Sequence, residues 1–134
     1  MTLYTPYRDF LAREFPSFRK VRKLPLSGGM SCPNLDGNRG CGGCAYCNNK
    51  SFSPVWDKAG VSVEDQLKEL VPKLRKKYRD AGILAYFQPY TNTYAPVERL
   101  RQIYEPVFAS EEIAGVAIGT RPDCVAKDVL ELLA

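Results

Sequence analysis

The chain has 134 residues, 19 of them lysine or arginine and 15 aspartate or glutamate, and it contains no histidine. Without an imidazole it has no Ser-His-Asp or Cys-His nucleophile, no HExxH metalloprotease site and no mixed cysteine-histidine zinc finger, which leaves thiolates and carboxylates as metal ligands. The net charge of +4 singles out no class of partner by itself.

The N-terminus, MTLYTPYRDFLAREF, carries charges and a proline where a signal peptide needs an apolar core, and no run of about 18 apolar residues follows anywhere. A cytoplasmic protein without a membrane span is expected. Five cysteines are an odd number for a disulfide framework, and a reducing compartment leaves thiols free to bind metal.

Tyr7, Leu11 and Phe15 recur at helical spacing, and Val21 to Leu26 reads as an extended segment in which Pro25 argues for an edge or terminal position. Arg19, Lys20, Arg22 and Lys23 cluster at its start. They read either as a basic edge flanking a strand or as a phosphate contact, which keeps RNA open as a substrate class.

Ser31 to Asn49, SCPNLDGNRGCGGCAYCNN, then brings four cysteines together among glycines and asparagines. Soft thiolates suit zinc or an iron-sulfur cluster, and glycines let a loop wrap around either one. Cys32, Cys41, Cys44 and Cys47 are the candidate ligands.

A helix is predicted from the capping pattern Ser62-Val63-Glu64-Asp65, with Leu67, Leu70, Val71 and Leu74 as its buried stripe, Pro72 as a kink and basic residues near its end. Gly82 to Phe87 is a continuous apolar run, the pattern of a strand covered on both faces, and it leads into the polar loop Gln88 to Tyr94. Pro96 opens a helix whose apolar residues Val97, Leu100, Ile103, Tyr104 and Val107 recur every three or four positions. Val116 to Ile118 reads as a further buried strand, followed by Gly119-Thr120-Arg121-Pro122-Asp123 and a last helix from about Ala126. Cys124, near that helix start, reads as a buried small apolar residue or as a reactive thiol.

Strand, loop and helix thus repeat three times, which predicts an α/β fold with a parallel sheet. In such folds the loops after the strands build the site, so the cysteine loop, Gln88 to Tyr94 and Thr120 to Asp123 are expected to converge. Three parallel strands with an apolar outer edge make a poor independent domain, so the chain is expected to be the N-terminal portion of a larger protein. Alone, it is expected to associate or to be marginally stable.

CPNLDGNRGCGGCAYCNN, AYFQPYTNTYAP and IGTRPDC, in this order, resemble the radical S-adenosylmethionine superfamily, in particular a bacterial branch related to the catalytic subunit of elongator. The resemblance implies that residues 1–134 form the first three units of a partial TIM-barrel-like core. In this division, 1–30 hold the first helix and strand, 31–60 the cluster-binding loop and 61–134 the following β/α units. It also implies a [4Fe-4S] cluster held by three cysteines, with one iron left open for S-adenosylmethionine, an external electron donor, and reductive cleavage to a 5′-deoxyadenosyl radical that acts on a substrate the chain does not identify. Carried over residue by residue, Cys32, Cys44 and Cys47 become the metal ligands, with Cys41 as the alternative. Tyr46 stands where an aromatic lies beside adenine. Gln88, Thr91 and Asn92 stand where the methionine amino group is bound, and Thr120 and Arg121 belong to the segment that meets its carboxylate, although a salt bridge from Arg121 to Asp123 is an equal reading. Gly119 replaces a glutamate common in that branch. Two other readings are a structural four-cysteine zinc site and an iron-sulfur electron-transfer protein with four cysteine ligands.

Overall fold

A computed structural model describes residues 3–48, 51 and 60–134, so Asn49, the last residue of the cysteine motif, lies outside the described residues. Helix α1 (Tyr7–Glu14) precedes strand β1 (Val21–Leu26). After the cysteine loop come α2 (Val63–Lys77), β2 (Gly82–Phe87), α3 (Val97–Phe108), β3 (Ile113–Ile118), a single 3-10 turn at Pro122–Cys124 and α4 (Lys127–Leu133).

The strands form one parallel sheet in the order β1-β2-β3. Its first register pairs Val21 with Gly82 through Leu26 with Phe87. The second shifts between Ile83 and Leu84, so that Ile83 faces Ile113 while Leu84 faces Gly115. The fold is therefore α/β with successive β/α units, as the alternation of apolar runs predicts. Pro25 lies in an edge strand, where the missing amide hydrogen costs no central ladder bond.

The period-2 alternation of a strand sends β2 side chains to two different environments. Ile83, Ala85 and Phe87 join Leu24, Leu26, Leu67, Leu100, Ile103, Tyr104, Val107 and Val129 in the core between sheet and helices. Phe87 and Tyr104 meet edge to face there, with ring centroids 5.1 Å apart. Leu84 and Tyr86 face the other way. On that side the rings of Phe18 and Phe15 occupy the space where a Cβ on Gly82 or Gly115 would stand, at 2.8 and 2.7 Å. Gly115 is thus a strand residue that admits an aromatic ring, and β3 starts earlier, at Ile113, than the predicted Val116.

The Ser62 hydroxyl caps α2 by accepting from the Asp65 amide at 3.1 Å, and Arg75, Lys76 and Lys77 stand in its last turn, where cations favour the helix dipole. Pro72 lies inside this helix, which continues to Lys77. Gln66 interrupts the apolar stripe and is fully buried. Its Oε1 accepts from the Ser27 amide at 2.9 Å, and its Nε2 donates to the Ser27 and Val61 carbonyls at 2.8 and 2.9 Å. The chain leaving β1 is fixed in this way just before the cysteine loop. Gln66→Leu keeps the volume but strips these backbone groups of their partner, and a loss of about 3 kcal/mol is expected in urea unfolding. An unchanged midpoint would contradict that assignment.

No helix among the described residues is long and apolar enough to cross a membrane.

Candidate metal centre

The cysteine loop begins at the C-terminal end of β1 and is shaped largely by its own backbone. The amides of Leu35 and Asp36 donate to the Cys32 carbonyl at 2.8 and 3.2 Å, and that of Arg39 donates to the Pro33 carbonyl at 2.8 Å. Asp36 and Cys41 then pair in an isolated antiparallel bridge. In this small hairpin the Cys41 Sγ lies 3.8 Å from where a Cβ on Gly37 would stand. Gly42 and Gly43, both at φ +81°, reverse the chain, and the Gly43 amide donates to the Asn34 carbonyl at 2.9 Å. An L side chain is strained at those angles, so the glycines are required for the return toward Cys44.

Cys44 is the best supported of the thiols. The Asn34 Nδ2 donates to its sulfur at 3.1 Å, and the Tyr46 hydroxyl is a second partner. These hydrogen bonds, Asn34 first, lower its pKa, and the positive charge of Arg121 acts in the same direction. Partial desolvation pushes Cys47 up, followed by the nearby charges of Cys44 and Cys32. Cys47 thus lies within electrostatic reach of Cys44 and Cys32. Tyr46 is 87% exposed, and its own pKa is raised by the hydrogen bond to Cys44.

The other two loops meet this one. The Thr91 amide donates to the Ser31 carbonyl at 3.1 Å, and Asn38 Nδ2 donates to the Tyr94 hydroxyl at 2.8 Å. Arg39 pairs with Asp123 at 3.2 Å. Asp123 also accepts both arms of Arg121, Nε and Nη2, at 2.9 Å each. That fork holds the Asp123 carboxyl at about 2, well below the usual range. Because this folded pKa is depressed, the favourable pairing is complete above the ordinary carboxylate range and is lost as pH falls toward about 2, so the clamp persists at neutral pH. The three loops after the strands thus converge, as the β/α order predicts.

Asn92 lies beneath that surface and is 1% exposed. Its Nδ2 donates to the carbonyls of Phe87, Pro89 and Gly119 at 3.2, 3.1 and 2.9 Å, and its backbone amide also donates to Gly119. Its Oδ1 is buried with no hydrogen-bond partner. The Tyr104 hydroxyl donates to the Asn92 carbonyl, and burial raises the pKa of that phenol. Thr91 is buried beside it, while the hydroxyls of Thr93 and Thr120 bond each other. Gln88 is half-buried at the end of β2. A Cβ on Gly119 would lie 3.1 Å from the Phe87 carbonyl oxygen and 3.4 Å from that of Gln88, so the glycine permits close approach of the second and third loops. Tyr90 adopts φ +67°, an uncommon conformation for a bulky side chain. Cys124 is half-buried and its pKa is pushed up by burial, in keeping with a packed thiol.

Sequence reasoning did not single out Asn34, Asn38, Arg39 or Gln66. The first three lie inside the cysteine motif and are polar residues of a kind abundant in any loop, and only the folded backbone shows which of them turns inward. Gln66 had a visible signal, as an uncharged polar residue on the apolar stripe of an amphipathic helix. The basic cluster lies at the opposite end of the parallel sheet from the cysteines. There Arg22 packs over the Tyr78 ring at 4.4 Å, and Lys23 over Tyr86 and Tyr7 at 4.4 and 5.0 Å.

The donor set fits a thiolate-bound metal group. Several thiols share one loop, N–H and O–H donors are partners of the Cys44 sulfur, and the positive charge of Arg121 favours its thiolate. The arrangement is open, since among the described residues no three cysteine, aspartate or glutamate side chains are gathered closely enough to hold an ion.

No family model matches the chain, and no solved structure matches it. It is 42% identical over 118 residues to the uncharacterized protein YtqA of Bacillus subtilis and 45% identical over 117 residues to the protein YhcC of Escherichia coli. It is also 33% identical over 134 residues to the uncharacterized protein MJ0486 of Methanocaldococcus jannaschii. These matches take in 86%, 86% and 98% of the chain but 36%, 36% and 39% of the relatives, so the chain spans a little over a third of the length of the curated relatives it matches.

Proposed function

We propose that the chain forms the first three β/α units of a radical S-adenosylmethionine domain, a partial TIM-barrel-like core of the elongator-related kind, acting in the cytoplasm. The observation that carries this reading is that Cys32, Cys44 and Cys47 share one loop at the carboxyl end of a parallel sheet, where the other two strand-end loops meet it, while Cys41 belongs to a backbone bridge with Asp36. Three thiolates hold a [4Fe-4S] cluster with one iron open, whereas a structural zinc site or a four-cysteine electron-transfer cluster needs all four. When bound, the cluster supplies the electron, received from an external donor, that cleaves S-adenosylmethionine to methionine and a 5′-deoxyadenosyl radical.

The residues of the chain have distinct tasks in this reading. Cys44, bonded to Asn34, presents its sulfur in a fixed direction. The side-on pairing of Arg121 with Asp123 uses Nε and Nη2 and leaves Nη1 outside that pair, where a guanidinium suits a carboxylate such as that of methionine. The exposed Tyr46 ring offers a flat surface to a base. Thr91, Asn92 and Thr120 tie the facing loops together, Asn92 and Thr91 from below the surface, and Gln88 stands beside them at the end of β2. RNA as substrate rests only on the basic cluster at the far end of the sheet.

The experiment is anaerobic reconstitution of the protein with iron and sulfide, followed by paramagnetic resonance of the reduced cluster with and without S-adenosylmethionine. A changed spectrum on addition is expected from an open iron. An unchanged spectrum would favour the electron-transfer cluster, and colourless protein retaining one zinc would favour the structural site.

A further inference from the structure

Asn34 occupies an unusual place in the cysteine loop. Its carbonyl accepts from Gly43, directly before Cys44, while its side-chain Nδ2 donates to the Cys44 sulfur at 3.1 Å. The residue therefore holds Cys44 twice, once through the backbone leading to it and once at the sulfur itself. Its side chain is half-buried, so the N–H···S bond is partly shielded from water. A donor directed at a metal-bound thiolate withdraws charge from sulfur and stabilises the more negative, reduced state of the group, and such outer contacts also orient the ligand.

The geometry points to Asn34 as a positioning residue that sets the reduction potential and the metal affinity of the Cys32-Cys44-Cys47 centre through its hydrogen bond to Cys44. This rests on the proposed function for the potential, but not for the affinity, which concerns the thiolates with any soft metal. It distinguishes Cys44 from Cys32 and Cys47, toward which no side-chain amide donates among the described residues.

The test compares wild type with Asn34→Leu, which keeps the volume and removes the donor, and Asn34→Ala, which removes both. The backbone bond from Gly43 is available in each. Anaerobic redox titration of the reconstituted cluster, followed by paramagnetic resonance, is expected to show a shift to more negative potential in both variants. Titration of the metal-free proteins with Co(II) alone is expected to show about a 10-fold loss of affinity. A purely structural role for Asn34 would lower thermal stability but leave the potential of the assembled cluster unmoved. Wild-type potential and wild-type Co(II) affinity in both variants would overturn the inference. If wild type forms no cluster, the proposed function fails, while the Co(II) comparison still decides the role of Asn34.

Discussion

Cys44→Ala is expected to abolish the reconstituted [4Fe-4S] cluster, whereas Cys41→Ala is expected to keep it. The contrast follows from where the loop puts the two sulfurs. Cys44 lies beyond the Gly42-Gly43 reversal, accepts from Asn34 and shares an electrostatic neighbourhood with Cys47, which also senses Cys32. Cys41 pairs with Asp36 across a small hairpin, its sulfur against Gly37. Cys32→Ala and Cys47→Ala are expected to behave like Cys44→Ala, because each removes one of the three ligands. Iron and sulfide content with the visible spectrum checks all four. Loss of the cluster in Cys41→Ala would show that the centre uses the closer triplet Cys41, Cys44 and Cys47 or all four thiols.

A second large effect is expected from Asn92→Leu, a loss of about 2 kcal/mol in stability with little change in the slope of urea unfolding. The magnitude comes from counting partners. Nδ2 serves three carbonyls, but the Phe87 oxygen also accepts from the Gly119 amide, and the Gly119 oxygen from the Asn92 amide. Among the described residues, the Pro89 oxygen depends on Nδ2 alone. Leucine also removes the unpartnered buried Oδ1, which offsets part of the loss. Because these bonds tie the second loop to the third, cluster loading should fall as well, and lower temperature should restore part of it. Stability equal to wild type would mean that Asn92 is not the tie between the loops.

The strands were legible because burial dictates their composition. Gly82 to Phe87 is covered on both sides by α2, α3 and the Phe15-Phe18 segment, and a continuous apolar run is what such a strand requires. The beginning of β3 was less visible, since a glycine in a short run reads as a break until Phe15 is known to fill its place. In the site, residue chemistry was legible and partnership was not. Thiols and glycines suggest a metal loop, but the pairing of Cys41 with Asp36 depends on how the backbone of that loop folds. Asn92 reads as a ligand contact through the family resemblance, and its burial follows from the carbonyls that surround it. Arg121 was open between a ligand carboxylate and Asp123, and the fork to Asp123 answers for two of its nitrogens.

The central claim is a three-cysteine cluster with an iron open to S-adenosylmethionine. Its most direct test is to reduce the reconstituted protein anaerobically in the presence of S-adenosylmethionine and quantify methionine and 5′-deoxyadenosine together. Both products are expected in equal amounts, retained in Cys41→Ala and absent in Cys44→Ala. A fully loaded cluster that yields neither product, or a colourless protein whose four cysteines hold one zinc, would contradict it.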